Sequence, residues 1–77
     1  MSECIVRFSS ADDVRRFVAI ATRQCFQIDV EAGHMQTSGR CIMGLFCMGL
    51  HRPLRVMFPL DADVSGFLQE LAPFLVT

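Results

Sequence analysis

Residues 39–50 constrain the fold of this chain more than any other stretch. They read GRCIMGLFCMGL, which is apolar on nearly every side and interrupted by three glycines. A helix that spans a bilayer needs about 20 apolar residues, so this stretch is too short to cross a membrane. We predict a short helix that begins after Gly39 and ends at Gly49, where glycine can turn left-handed without a Cβ clash.

Both faces of this predicted helix are apolar. At helical spacing, one face carries Ile42, Leu45, Phe46 and Gly49. A second face carries Met43, Cys47 and Leu50. A helix of this kind is either covered on both sides or presents one side to a partner, and the sequence leaves both readings open.

Length and composition indicate one small domain, which we predict to span residues 1–77. Hydrophobic residues make up 52% of the chain, enough to build a core without covalent cross-links. We expect no signal peptide, and therefore a cytoplasmic protein with reduced thiols. The thiols belong to Cys4, Cys25, Cys41 and Cys47.

The charges exclude several functions. The chain has seven arginines, no lysine and eight acidic residues, and the positive and negative charges are interspersed along it. Binding to duplex nucleic acid depends on clustered positive charge, so we predict no nucleic-acid partner and no membrane partner. The absence of lysine excludes Schiff-base chemistry. The cysteine spacings fit no zinc site, and we predict no metal, no cofactor and no enzymatic activity.

Hydrophobic periodicity predicts the remaining elements. Alternation of apolar and polar residues predicts four strands, over residues 3–8, 26–31, 35–38 and 54–58. The stripe Val14, Phe17, Val18 and Ala21 predicts a first helix that ends near Arg23, with Ser9 and Ser10 at its start. Asp61, Ala62 and Asp63 are predicted to open a last helix, which Pro73 disturbs in its final turn. We predict His51, Arg52 and Pro53 to form a connection.

The predicted order is therefore β-α-β-β-α-β-α. Each amphipathic helix and each alternating strand has one apolar face to bury. We predict an α+β two-layer open-faced sandwich, in which a four-stranded, mainly antiparallel sheet is covered on one face by three helices.

This order and residues 39–50 resemble the histidine-containing phosphocarrier protein HPr of the sugar phosphotransferase system. The resemblance covers nearly the whole chain and is most specific over residues 39–50, where HPr proteins have a short second helix. In that family this helix helps to dock partner enzymes. The resemblance thus implies a partner-binding surface, which we assign to Arg40, Met43, Phe46, Cys47 and Met48.

The chain departs from HPr at both phosphorylation sites. Active members hold a histidine, followed two residues later by an arginine, in the loop before the first helix. The matching junction here holds no histidine and places acids near the site; its residues are Ser9, Ser10, Asp12 and Asp13. Two carboxylates would oppose a developing phosphate dianion. The serine that a regulatory kinase modifies corresponds to Cys41.

We therefore expect an HPr-like domain without phosphocarrier activity, which acts through contact with another protein or by self-association. One alternative is an active phosphocarrier that uses a displaced histidine, His34 or His51. A second alternative is a thiol-based redox sensor. Cys41 lies at a predicted helix N-terminus beside Arg40, and both the helix dipole and a nearby cation favour a thiolate.

Overall fold

A computed structural model describes residues 2–60 and 63–76. The strands are β1 (Ser2–Arg7), β2 (Asp29–Ala32), β3 (Met35–Ser38) and β4 (Pro53–Phe58). The helices are α1 (Ala11–Thr22), α2 (Ile42–Met48) and α3 (Ser65–Glu70), followed by one 3-10 turn, Ala72–Phe74. The predicted α+β class and element order are confirmed.

The four strands form one sheet in the order β1-β4-β2-β3, and every pairing is antiparallel. One face of the sheet contributes Val6, Val30, Leu54 and Val56 to the core, where each is fully buried. The opposite face is mainly polar, although Ile5 and Met57 also lie on it. Arg55 lies between Glu3 and Glu31 there, with ion-pair distances of 3.7 and 3.5 Å. This arrangement is the open-faced sandwich that the sequence predicts.

Helix α1 forms as the sequence predicts. Ser10 is its N-cap and accepts a hydrogen bond from the Asp13 N–H, and Arg23 is its C-cap. Val14, Phe17 and Ala21 are buried as expected from the stripe. Ile20 is also buried, which the predicted stripe omits.

The second strand is shorter than predicted. It begins at Asp29 rather than at Phe26. The carbonyl oxygens of Gln24 and Phe26 both accept hydrogen bonds from the Arg40 guanidinium, each at 2.8 Å. Pairing with the next strand begins at Ile28, whose carbonyl accepts from the Gly39 N–H at 2.8 Å, one residue before β2. Pro53, predicted in a connection, is the first residue of β4, a position where a strand tolerates proline.

The last helix differs most from prediction. Asp61 and Ala62, predicted to open it, lie outside the described residues. Helix α3 begins at Ser65, and the Asp63 carboxylate accepts from the Ser65 N–H at 3.4 Å. It ends at Glu70, and a separate 3-10 turn contains Pro73. Proline lacks the N–H that a continuous helix requires, so the predicted single helix divides into two pieces.

Candidate functional site

Helix α2 packs one side against the core. Its buried side chains are Leu45 and Met48, and Ile42 and Phe46 are half-buried against the same cluster. Gly44 lies directly against Thr37 of β3, so that a Cβ at position 44 would lie 2.9 Å from the Thr37 Cβ and closer still to its hydroxyl. The helix ends at Gly49, whose φ of +89° is the left-handed turn predicted there.

The other side of α2 is exposed and uncharged. Met43 is 69% exposed, Leu50 is 37% exposed, and Cys47 is exposed between them. We call these three residues the α2 surface. They are the predicted second apolar face. Helix α2 carries no acidic residue in its first turn and no basic residue in its last. An exposed apolar patch is typical of a site that contacts another molecule.

Three of the five residues assigned to the partner-binding surface are buried or half-buried. Met48 is 1% exposed, so its assignment to a binding surface is wrong: the rotation of α2 turns it into the core. Phe46 is half-buried and packs against the core. Arg40 is half-buried, and its guanidinium is bound to the Gln24 and Phe26 carbonyls rather than presented to a partner.

The junction before α1 is organised by its own side chains. The Ser9 N–H donates to the Asp13 carboxylate at 2.9 Å, and the Ser10 hydroxyl accepts from the Asp13 N–H at 3.3 Å. Asp13 takes part in both bonds, as the third helical residue does in a capping box, but its carboxylate accepts from Ser9, the residue before the N-cap, and not from Ser10 itself. Asp12 pairs with Arg15 at 2.9 Å. All four junction residues therefore have a structural role at the start of α1 or beside it.

One of the two histidines lies next to this junction. The His51 N–H donates to the Phe8 carbonyl at 2.7 Å, which places the His51 backbone beside the residue that precedes Ser9. His51 is exposed and has a left-handed φ of +66°. His34 is exposed in the turn between β2 and β3. A hydrogen bond therefore places His51 beside the residues that correspond to the phosphoacceptor loop.

Cys41 is the N-cap of α2, and its thiol is exposed. The Sγ accepts a hydrogen bond from the Gly44 N–H at 3.4 Å. This bond and a second one from the Thr37 hydroxyl lower the pKa of the Cys41 thiol. The direction agrees with the sequence-based expectation, and so does the contribution of the helix N-terminus, since backbone N–H groups of α2 donate to the thiol. The expected contribution of Arg40 is absent, because its guanidinium binds carbonyls elsewhere. Thr37 is a residue of this site that the sequence reasoning missed.

The other cysteines lack this environment. Cys4 is half-buried on the side of β1 that faces the core, and burial raises the pKa of its thiol. Cys25 and Cys47 are exposed, and all four cysteines are free thiols. Cys41 is thus an exposed cysteine whose surroundings lower the pKa of its thiol.

The arginines do not gather into one basic site. Arg15 pairs with Asp12, Arg40 binds two carbonyls, and Arg52 donates to the Met48 carbonyl at 3.3 Å. Arg16 lines a shallow groove of about 290 Å³ between α1 and the 3-10 turn. The salt bridge between Arg23 and Glu70 lies in the same groove. Each of these arginines therefore has its own local role.

No protein-family model and no curated protein matches this chain. Across residues 2–60 and 63–76, no helix has the length and apolar character needed to span a bilayer. Those residues also bring no three His, Cys, Asp or Glu side chains together as metal ligands. Function is therefore inferred from the geometry of the described residues.

Proposed function

We propose that this chain is an HPr-like domain that lacks phosphocarrier activity and acts by protein contact through the α2 surface. The observation that carries the proposal is the exposure of Met43 and Cys47 on a helix whose opposite side is buried, with the exposed Leu50 just beyond the end of that helix. The polar face of the sheet is occupied by ion pairs around Arg55, whereas the α2 surface has no charge to interact with solvent. Flexible sulfur-containing side chains suit contact with a protein surface.

The junction supports the loss of phosphate transfer. Ser9 and Ser10 are each hydrogen-bonded to Asp13 at the start of α1, and Asp12 is paired with Arg15. A phosphate held there would meet two carboxylates, which disfavour added negative charge. The order of the seven elements is the one that the resemblance to HPr implies, so the scaffold is consistent with a former carrier.

Affinity capture tests the contact role. We expect proteins retained by the native chain, from the cells that produce it, to be lost when Met43→Asp replaces an exposed methionine with a charge. Because Met43 is 69% exposed, this variant keeps the fold. Leu60→Asp makes the same kind of change at an apolar side chain that is 73% exposed outside the α2 surface, and as the matched control it should retain the same proteins. Identical capture by native and Met43→Asp protein would exclude the α2 surface.

A phosphorylation assay in the same study tests the other half of the proposal. After incubation with phosphoenolpyruvate and enzyme I, we expect the intact mass of the native chain to stay unchanged. A gain of one phosphate that persists in His34→Ala and disappears in His51→Ala would instead support a displaced phosphoacceptor. The position of His51 beside Phe8 makes it the histidine to replace first.

A thiol sensor is the second candidate function, and the environment of Cys41 favours it. The thiol is exposed, and the bonds from Gly44 and Thr37 stabilise its anion. The thiolate is the reactive form of cysteine, so a lowered pKa increases reactivity near neutral pH.

Alkylation measures this reactivity. Since the pKa of Cys41 is lower in the folded protein, we expect iodoacetamide to label Cys41 faster at neutral pH than in the denatured chain. The rate should rise with pH around a midpoint below that of the denatured chain, as followed by peptide mass spectrometry. Thr37→Val removes the donor hydroxyl while keeping side-chain shape, and should move the midpoint upward. Equal rates in folded and denatured protein would remove this candidate.

A further inference from the structure

The shallow groove between α1 and the 3-10 turn is lined on one side by a single face of α1. Arg16, Ala19, Ile20 and Arg23 line it, and their spacing puts all four on the same side of the helix. The two arginines lie about 10 Å apart along the helix axis. Ala19, between them, has no side chain beyond Cβ. The groove is therefore open between two cationic ends.

The opposite side of the groove comes from the end of α3 and the turn that follows. Glu70, Pro73 and Phe74 line it, and with the four residues of α1 they define what we call the α1 groove. Ile20 and Phe74 are 9% and 4% exposed and belong to the core cluster, so the floor of the groove is apolar. Ligand pockets span about 300–1,000 Å³. A volume of about 290 Å³ therefore suits one small molecule rather than a segment of another protein.

The charges differ at the two ends of the α1 groove. Arg23 forms a salt bridge with Glu70. Arg16 forms no salt bridge with a carboxylate of residues 2–60 and 63–76. The described lining residues thus carry two positive charges and one negative charge, and the uncompensated charge is that of Arg16. A guanidinium can bind a carboxylate through two parallel N–H bonds.

We propose that the α1 groove binds a small organic carboxylate, whose anionic group pairs with Arg16 and whose apolar body covers Ala19, Ile20 and Phe74. The lining selects a single negative charge, because Glu70 opposes the second charge of a phosphate monoester. The buried side chains of the floor select an apolar body, since its burial removes apolar surface from water. This inference goes beyond the proposed function, because it uses the α1 groove and not the α2 surface.

Titration with 3-phenylpropionate tests the proposal. This acid joins one carboxylate to one aromatic ring through a short flexible link. At fixed neutral pH, we expect saturable changes in amide chemical shifts confined to residues 16–23 and 70–75. Because the groove is shallow and the ligand is small, the dissociation constant should be about 1–10 mM. The uncharged analogue 3-phenylpropanamide should bind about threefold to fivefold more weakly, since the partner that it loses is an exposed guanidinium.

Two variants test the cation and the open space separately. Arg16→Gln removes the cation and should make the acid and the amide bind equally. Ala19→Leu fills the space between the two arginines and should abolish saturation by both ligands. Both positions are exposed, so the variants keep the fold. Arg7→Gln makes the same charge change at an exposed arginine of β1 and is the matched control, with the preference for the acid unchanged.

Three results would overturn the proposed site. One is a native chain that shows no saturable shift over that concentration range. Another is equal affinity of the native chain for the acid and the amide. The third is a preference for the acid that persists in Arg16→Gln, because another cation would then bind the carboxylate. None of these results bears on capture through the α2 surface, which Met43→Asp tests separately.

Discussion

Met48→Ala is expected to lower the free energy of unfolding by about 2–5 kcal/mol. Met48 is 1% exposed and belongs to the core cluster beneath α2, so the shorter side chain leaves a cavity that its neighbours fill only in part. A domain of 77 residues has a total stability of roughly 4–12 kcal/mol. Urea denaturation should therefore show a large decrease in the midpoint at an unchanged slope.

Met43→Ala is the matched control on the same helix. The chemical change is identical, but Met43 is 69% exposed, and the expected change in unfolding free energy is within about 0.5 kcal/mol. Comparable losses in the two variants would contradict the orientation of α2, in which Met48 faces the core and Met43 faces solvent. That result would also remove the α2 surface as a candidate contact site.

Gly44→Ala is expected to destabilise the protein, by up to about 2 kcal/mol. Alanine normally improves a helix by about 1 kcal/mol relative to glycine. Here the new Cβ would overlap Thr37, whose Cβ would lie only 2.9 Å away. Overpacking of this kind costs typically 1–3 kcal/mol, and a short β-branched side chain on a strand has little freedom to move away. The steric cost therefore exceeds the gain in helix propensity.

Gly66→Ala is the same substitution at another helical glycine, and we expect it to stabilise the protein rather than destabilise it. Gly66 lies within α3, and a Cβ there meets no atom within 4 Å. We expect this variant to be more stable than the native chain by about 0.5–1 kcal/mol in urea denaturation. Stabilisation by both substitutions would show that α2 and β3 are not in close contact at Gly44.

Sequence periodicity was sufficient for the element order and for most of the core. Alternation located β1 and β4, and the capping serines located the start of α1. These signals are local, since a strand or an amphipathic helix repeats its pattern within a few residues. The same reasoning placed Met43 and Cys47 together on one apolar face, but whether that face is exposed or covered remained open until the structure showed both side chains exposed.

Contacts between distant segments were not predictable in this way. A helix of seven residues that is apolar all round has no periodic signal to fix its rotation, and Met48 was assigned to the wrong side. The Thr37 hydroxyl near Cys41 depends on how α2 packs on β3. The bond from His51 to Phe8 joins residues 43 positions apart, which no local pattern encodes.

Arg40 has a further consequence for how the molecule opens. One guanidinium joins the segment that leaves α1 to the residue that precedes Cys41, so two regions remote in the chain share a single cation. Movement of the segment that leads into the second helix therefore requires the release of two carbonyls beyond the first helix. We expect the two regions to open together, with their amide hydrogens exchanging with solvent through a common local unfolding step.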